Sequence, residues 1–243
     1  MNIGMLYKII VIVGSLIFSV CSAFSQSSNE YHITIQLSGL KNGISVYFFN
    51  VKGERAAGVF KNGEYIFSGI DSLPGTPVDI QIDTFPAKLR VIVDRESAIK
   101  ITGELVKWPN VLVSGSKVHE EYNDFQNNIQ APFSCEYKRY EMLMKRITGK
   151  SDVFEWERHS KILVGRDSLD VFLATQIYQK AVVTYQKETL EWIILHPTSL
   201  YTPELIMQWW PRPAWKSSYQ NLSSPARNSY YGVLLKEQIG REI

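Results

Sequence analysis

The sequence predicts an α+β protein in which an N-terminal antiparallel β-sandwich or open barrel is followed by a C-terminal helical region. From Tyr31 to Ser114, apolar and polar residues alternate between turn signals, which is the pattern of strands with one buried face. After Gly115 the apolar spacing changes to three and four residues, the period of amphipathic helices. The composition of the 243 residues, 45% hydrophobic and 21% charged, is globular and excludes a disordered or polytopic membrane chain.

The first 25 residues have the organisation of an export signal. Lys8 is followed by the apolar run 9–20, which suits the core of a signal peptide and is shorter than the roughly 20 residues of a membrane-spanning helix. Ala23 and Ser25 are small residues at the −3 and −1 positions of a cleavage site before Gln26. We therefore expect residues 1–25 to be removed and the mature protein to be periplasmic.

Lipid attachment is the alternative fate of this segment. It would acylate Cys21 and make the protein an outer-membrane lipoprotein, although Val20 stands where such sites favour a small residue. An uncleaved membrane anchor is a further alternative; otherwise contact with a membrane is expected only if Cys21 is lipidated. After cleavage before Gln26, Cys135 is the one cysteine left in the sequence, so an intramolecular disulfide cannot form.

Turn residues divide the expected β-region, residues 26–115, into short strands. The dipeptides Asn42-Gly43 and Asn62-Gly63 predict hairpin turns, because Asn and Gly accept positive φ. The first turn would pair the first two strands with each other. The predicted strands cover residues 31–38, 44–50, 57–60, 65–68, 78–83, 88–93, 98–103 and 111–113.

The second region, residues 116–243, is expected to be helical. Ser116 is a predicted N-cap, Gly149 and Gly165 are predicted helix ends, and Pro197 ends the longest helix. Helices are predicted at 116–125, 137–148, 154–164, 168–195, 203–210 and 224–239. The longest helix carries a predicted apolar stripe formed by Leu173, Ile177, Ala181, Tyr185, Trp192 and Leu195.

Several motifs occur in an order that resembles a known bacterial module. The pattern Tyr-x-Ile-x-Ile-x-Leu-x-Gly-Leu-Lys-Asn-Gly at 31–43 is followed by Lys-Asn-Gly-Glu-Tyr-x-Phe-x-Gly at 61–69 and Ile-Lys-Ile-Thr-Gly at 99–103. His-Pro-Thr-Ser at 196–199 and Ser-Tyr-Tyr-Gly at 229–232 complete the series. This order is similar to the accessory domain and helical spacer that come before the thioredoxin-like AhpC/TSA domain of exported bacterial thiol–disulfide interchange proteins.

The resemblance implies a non-catalytic accessory or binding module whose partner is an envelope protein or a thioredoxin-like protein. The sequence contains no Cys-x-x-Cys, so the redox dithiol of the family has no counterpart to carry over. The alternative function is a thiol-exchange partner that acts through Cys135 alone. That residue lies among aromatic residues at the predicted start of a helix, and it is either buried and inert or exposed and reactive.

The sequence shows none of the common catalytic or metal-binding motifs. It has no His-Glu-x-x-His, no Gly-x-Ser-x-Gly and no phosphate-binding glycine loop, and its four histidines are scattered. His119 and Asp124 are expected on the solvated face of a helix, with a weak cation site as the alternative. We expect no cofactor and no metal, and the net charge of +2 is too balanced for a nucleic-acid binder.

One aromatic segment is the candidate binding surface. Trp209, Trp210, Arg212 and Trp215 lie within seven residues that also contain two prolines. This composition predicts an irregular loop that exposes a large apolar surface, and Trp and Arg are favoured at binding hot spots. The alternative is that these tryptophans cover the end of the helical core.

Overall fold

The computed structural model describes residues 30–70, 73–83, 85–95, 97–149, 166–209 and 213–241. The predicted signal peptide with Cys21, and the helix predicted at 154–164, lie outside these residues. An N-terminal region of strands in two sheets is followed by C-terminal helices, so the predicted α+β class is confirmed. The strands are β1 Glu30–Ser38, β2 Val46–Phe49, β3 Arg55–Ala57, β4 Val59–Lys61, β5 Glu64–Ile70, β6 Thr76–Ile82, β7 Lys88–Val93, β8 Ala98–Glu104 and β9 Leu112–Ser114.

The two sheets enclose one apolar core. A five-stranded sheet has the order β4-β5-β1-β8-β9, and a four-stranded sheet has the order β3-β2-β6-β7. Ile33 and Ile35 of β1 and Ile80 and Ile82 of β6 are fully buried in the same cluster, because alternate residues of each strand face inward. The arrangement is therefore a sandwich and not an open barrel.

The pairing of β1 differs from the prediction in two ways. It runs parallel to β8, with His32 opposite Ala98, so the five-stranded sheet is mixed and not purely antiparallel. It also lies between β5 and β8, which leaves no free edge for β2, so the hairpin predicted at Asn42-Gly43 is wrong. That turn leads from one sheet to the other. The second predicted turn is confirmed: Asn62 and Gly63 have φ of 54° and 86° and join β4 to β5.

Helices fill the second half of the described chain. They are α1 Lys117–Phe125, α2 Ala131–Thr148, α3 Arg166–Leu195, α4 Thr202–Trp209, α5 Pro213–Asn221, α6 Ser224–Arg227 and α7 Tyr230–Arg241. The predicted N-cap is confirmed, since Ser116 Oγ accepts a hydrogen bond from the backbone N–H of His119 at 3.3 Å. The predicted end of α2 is confirmed as well, because Gly149 has φ of 69°.

A π-helical turn, Gln126–Gln130, joins α1 to α2 without a break, because the backbone at Phe125 and Ala131 is also helical. The prediction of a separate helix beginning at residue 137 is therefore wrong. That prediction left Pro132 outside the helix, because proline has no backbone N–H to donate. In the structure Pro132 follows directly on the π turn, where a standard helical hydrogen bond is already absent. Cys135 consequently lies inside a long helix and not at a helix start.

The helices pack on the outer face of the four-stranded sheet. Ile92 of β7 is fully buried and belongs to the helical core, where it joins Val118 of α1 and Leu205 of α4. The molecule thus has three layers, two sheets and one helical layer. No helix in the described part of the chain combines the length and the apolar character needed to span a membrane.

The apolar stripe predicted on α3 is only partly correct. Tyr185 and Trp192 are buried, but Leu173 and Ile177 are 49% and 59% exposed. The buried face of the first half of α3 instead includes Val171 and Ala174. Since α3 contacts α2 as well as the π turn, α4 and α5, its buried face changes along its length.

Candidate ligand-binding cavity

A cavity of about 830 Å³ lies between the four-stranded sheet and the helical layer. Its volume falls in the range of small-molecule sites, about 300–1,000 Å³. The residues around it come from β7, α1, the π turn, α2, α3, α4 and position 201, which directly precedes α4. They are Arg90, Tyr122, Gln126, Gln130, Phe133, Ser134, Tyr178, Val182, Tyr185, Gln186, Tyr201, Glu204, Gln208 and Trp209.

Aromatic and amide side chains make up most of this wall. Among the described residues around the cavity, Val182 is the one aliphatic side chain. The amides are Gln126, Gln130, Gln186 and Gln208, and the aromatic side chains are Tyr122, Phe133, Tyr178, Tyr185, Tyr201 and Trp209. Such a wall offers neutral hydrogen-bond donors and acceptors beside flat apolar rings.

The π turn places two of the amides against tyrosine hydroxyls. Gln126 Nε2 donates to the hydroxyl of Tyr201 at 3.4 Å, and the hydroxyl of Tyr185 donates to Gln130 Oε1 at 2.6 Å. Burial raises the pKa of both tyrosines, so the two hydroxyls stay protonated. Single π turns are frequent at functional sites, and here the turn forms part of the cavity wall.

Two charged side chains reach the cavity, and one of them already has a partner. Arg90 Nε lies 3.1 Å from Asp79 Oδ1, and the hydrogen bond to this carboxylate raises the pKa of Arg90. Burial raises the pKa of Glu204 to about 6, and the nearby Arg90 opposes that shift. Tyr231 interacts with the Glu204 carboxylate and also opposes the rise of its pKa, but the buried Oε2 has no hydrogen-bond partner within the described chain.

His119 lies in an adjoining cavity of about 550 Å³ that shares Arg90, Tyr122 and Gln126 with the first. The expectation that it lies on a solvated helix face is wrong, because the side chain is 1% exposed. Its Nδ1 accepts the backbone N–H of Ile92 at 3.3 Å, which places the proton of the neutral ring on Nε2. Burial lowers its pKa to about 4, so the ring is neutral at pH 7, and Nε2 has no partner within the described residues.

The structure gives the predicted aromatic binding residues different surroundings, although two of them are in contact. Trp209 ends α4 and lines the cavity, whereas Trp215 belongs to α5 and is only 3% exposed. Their rings stack at a centroid distance of 5.9 Å. The prediction of an exposed loop is therefore wrong for Trp215, which packs in the helical core as the alternative interpretation expected. Trp210 and Arg212 lie outside the described residues.

Cys135 is exposed on α2, next to Ser134 of the cavity wall. Of the two states expected from the sequence, the structure shows the exposed one. Among the residues that the structure describes, no group of three or more His, Cys, Asp or Glu side chains could hold a metal ion.

Several cavity residues were not identified from the sequence. Arg90 interrupts the apolar strand Lys88–Val93, Glu204 interrupts the apolar helix Thr202–Trp209, and the π turn has the amide-rich sequence Gln-Asn-Asn-Ile-Gln. Two signals in the sequence could have identified these residues. One is a charged residue inside an otherwise apolar strand or helix, and the other is a cluster of amide side chains on a helix.

The comparisons with known proteins gave no match: no protein-family model, no curated protein and no solved structure is similar to this chain.

Proposed function

We propose that this protein is an exported, non-catalytic binding module that holds a small polar ligand in the cavity between the sheet and the helices. The observation that carries the proposal is a large aromatic and amide-lined cavity whose wall includes Glu204, a residue with a buried Oε2 that has no hydrogen-bond partner among the described residues. A buried polar atom without a hydrogen bond costs about 1–3 kcal/mol, and a ligand that donates to it would recover that energy.

The chemistry of the wall supports binding rather than catalysis. Amides do not titrate, and burial raises the pKa of Tyr122, Tyr185 and Tyr201, so these hydroxyls stay protonated over the physiological range. Glu204 is the one carboxylate among the described residues around the cavity, and acid–base chemistry on a glycosidic bond ordinarily requires two. We therefore expect a bound ligand to be released chemically unchanged.

Residues 1–25 and the order of motifs support a place in the cell envelope. A hydrophobic core of signal-peptide length precedes small residues at the cleavage positions, and the motif order resembles accessory modules of thioredoxin-like proteins. We propose a periplasmic protein that works beside a thioredoxin-like partner. Intact mass of the protein from the cell envelope tests the export step, with Gln26 expected as the first residue and a diacylglyceryl mass on Cys21 as the contradicting result.

A thermal-shift screen tests the binding function. The full mature chain is heated with amino acids, tripeptides, trisaccharides, nucleosides and fatty acids, and one class is expected to raise the melting temperature in a saturable way. Ser134→Trp should abolish the shift because the indole fills the cavity, and Lys138→Trp on the exposed face of α2 should leave it intact. Equal responses of the two variants, or no response to any class, would contradict the proposal.

Thiol exchange through Cys135 is the second candidate function, and the exposure of this thiol favours it. In that reaction the Cys135 thiolate attacks a partner disulfide, forms a mixed disulfide and releases the other sulfur of the partner as a thiolate. Oxidised thioredoxin is a suitable probe, and the mixed disulfide is detected as a mass adduct. If binding is the function, Cys135→Ser leaves ligand affinity unchanged and no adduct accumulates on the wild-type protein.

A further inference from the structure

We infer that the ligand of this cavity is an uncharged saccharide. The inference rests on the proposed binding function and names the ligand class of the same site. It follows from the charge of the wall, from its single aliphatic side chain, and from two buried polar atoms near the cavities that have no partner within the described residues.

The charges around the cavity disfavour an anionic ligand. Arg90 is the one cationic side chain among the described residues of the larger cavity, and its guanidinium already pairs with Asp79 at 3.1 Å. The terminal nitrogens of the guanidinium could still donate, but Asp79 and Glu204 together outweigh its single positive charge, so a phosphate or carboxylate would meet a net negative environment. Nucleotides and organic acids are therefore poor candidates.

The apolar part of the wall disfavours a lipid. Apart from Val182, its apolar lining residues are aromatic, among them Phe133, Tyr178 and Trp209, whereas acyl chains are usually held by aliphatic side chains. Four amides on the same wall would lose hydrogen bonds with water on contact with an acyl chain. Flat rings beside amides match a pyranose, which presents an apolar C–H face and polar hydroxyl edges.

The two unpartnered atoms are of opposite kinds. Glu204 Oε2 is an acceptor beside the larger cavity, and Nε2 of the neutral His119 is a donor beside the adjoining one. His119 is 99% buried, so bulk water does not satisfy it. Because a hydroxyl group is both a donor and an acceptor, hydroxyl groups can satisfy a polar atom of either kind without carrying a charge.

A short peptide is the competing ligand class, and the geometry of its donors makes it less suitable. A peptide presents its N–H groups singly along an extended backbone, whereas neighbouring hydroxyls of a sugar ring can donate together to one carboxylate. Glu204 and the amides of Gln126, Gln130, Gln186 and Gln208 line the wall of a single cavity, which suits a compact ligand with polar groups on all its edges.

Calorimetric titration of the full mature chain tests the inference. The probes are maltotriose, cellotriose and tri-N-acetylchitotriose, with trialanine as the peptide comparison. We expect saturable binding of at least one trisaccharide and none of trialanine. Gln186→Ala, which removes a cavity amide from α3, should weaken binding about fivefold, and Gln176→Ala, on an exposed position of the same helix, should leave it unchanged.

The possible failures are distinguishable. In one case trialanine or a compound of another class binds, Ser134→Trp abolishes that binding, and no trisaccharide binds. The binding function then stands and the saccharide inference is overturned. If no compound of any class binds, both fail. Equal weakening by Gln186→Ala and Gln176→Ala would also overturn the saccharide site, because the interaction would then not depend on the cavity amide.

Discussion

Glu204 combines two features that rarely occur together in a residue without a role, a buried carboxylate and an oxygen without a partner in the described chain. Burial raises its pKa from 4.5 to about 6 in the folded protein. The folded state therefore favours the protonated acid, and ionisation of Glu204 destabilises the fold. This cost is absent below pH 4.5 and complete above pH 6, where it amounts to about 2 kcal/mol.

Glu204→Gln should remove that pH-dependent cost. The variant keeps an acceptor for Tyr231 but cannot ionise, so its free energy of unfolding relative to wild type should rise by about 2 kcal/mol between pH 4 and pH 8. Urea unfolding at the two pH values measures this difference. Glu237→Gln, on an exposed position of α7, is the matched control and should show no pH-dependent gain. A gain for Glu204→Gln that is equal at both pH values would contradict the assignment.

His119 should affect stability on the acid side. Burial lowers its pKa from 6.5 to about 4, so the unfolded chain binds a proton in this interval and the folded protein does not. Stability is unaffected by this group above pH 6.5 and is lost progressively as the pH falls towards 4. At pH 5 the loss from this group is about 2 kcal/mol.

His119→Asn isolates that contribution. The asparagine side chain can still accept the backbone N–H of Ile92, but it does not titrate. Between pH 7 and pH 5 the variant should lose about 2 kcal/mol less unfolding free energy than wild type, measured by urea titration at each pH. His32→Asn, at an exposed histidine, should lose as much as wild type. An identical acid loss for His119→Asn and wild type would show that His119 is not a buried neutral group.

At the scale of elements, Ser116 connects the sheet to the first helix. Its hydroxyl donates to the backbone carbonyl of Ile92 at 2.9 Å and accepts the N–H of His119 at 3.3 Å, and the residue is 3% exposed. Ser116→Ala removes the N-cap and leaves buried backbone groups unpaired, so we expect a loss of about 1–2 kcal/mol. The exposed Ser114→Ala is the control, with a loss below about 0.5 kcal/mol. Thermal or urea unfolding compares the two variants, and equal losses would contradict the role of Ser116.

The elements that were predictable from the sequence depend on local signals. The cap at Ser116, the left-handed Gly149 and the Asn62-Gly63 turn are each determined within a few residues. Strand pairing is not local. The turn signal at Asn42-Gly43 predicts a hairpin of β1 with β2, but β1 pairs with β5 and β8 instead. The π turn was not predicted for a related reason: Pro132 locally favours a break between helices, and the continuous helix across it depends on the π turn that comes before it.

The cavity could not be assembled from the sequence. Its wall joins Arg90 of a strand to Trp209, more than one hundred positions later, and only the packing of the helices on the sheet brings them together. Trp209 was a predicted binding residue and does line the cavity, but the sequence carried no signal that Trp215 would turn inward. Local composition indicated which residues are unusual, and tertiary packing decided which of them share a site.

At the scale of the whole molecule, Ile92 lies where the four-stranded sheet meets the helical layer. It is fully buried on the helical side of β7, while Val91 and Val93 face the core between the sheets. Ile92→Ala should cost about 2–4 kcal/mol because it leaves a cavity between sheet and helices. Ile70→Ala, at a position 83% exposed, should cost less than about 0.5 kcal/mol.

The shape of the unfolding transition tests whether the layers form one cooperative unit. We expect far-UV circular dichroism, which reports chiefly the helices, and the amide NMR signals of β1 and β8, which report the sheets, to give coincident urea transitions in Ile92→Ala as in wild type. Separate transitions for the two signals would show that the sheets and the helices unfold independently, which would contradict the role of Ile92 as the residue that joins them.

Hydrogen–deuterium exchange with and without the compound that gives the largest thermal shift tests the central claim most directly. We predict slower exchange in the segments that line the cavity, residues 126–134, 178–186 and 201–209, and unchanged exchange in β3 and β4, which lie at sheet edges away from it. Slowing confined to those edge strands, or no slowing at 126–134, would place the ligand elsewhere and contradict the assignment of this cavity as the binding site.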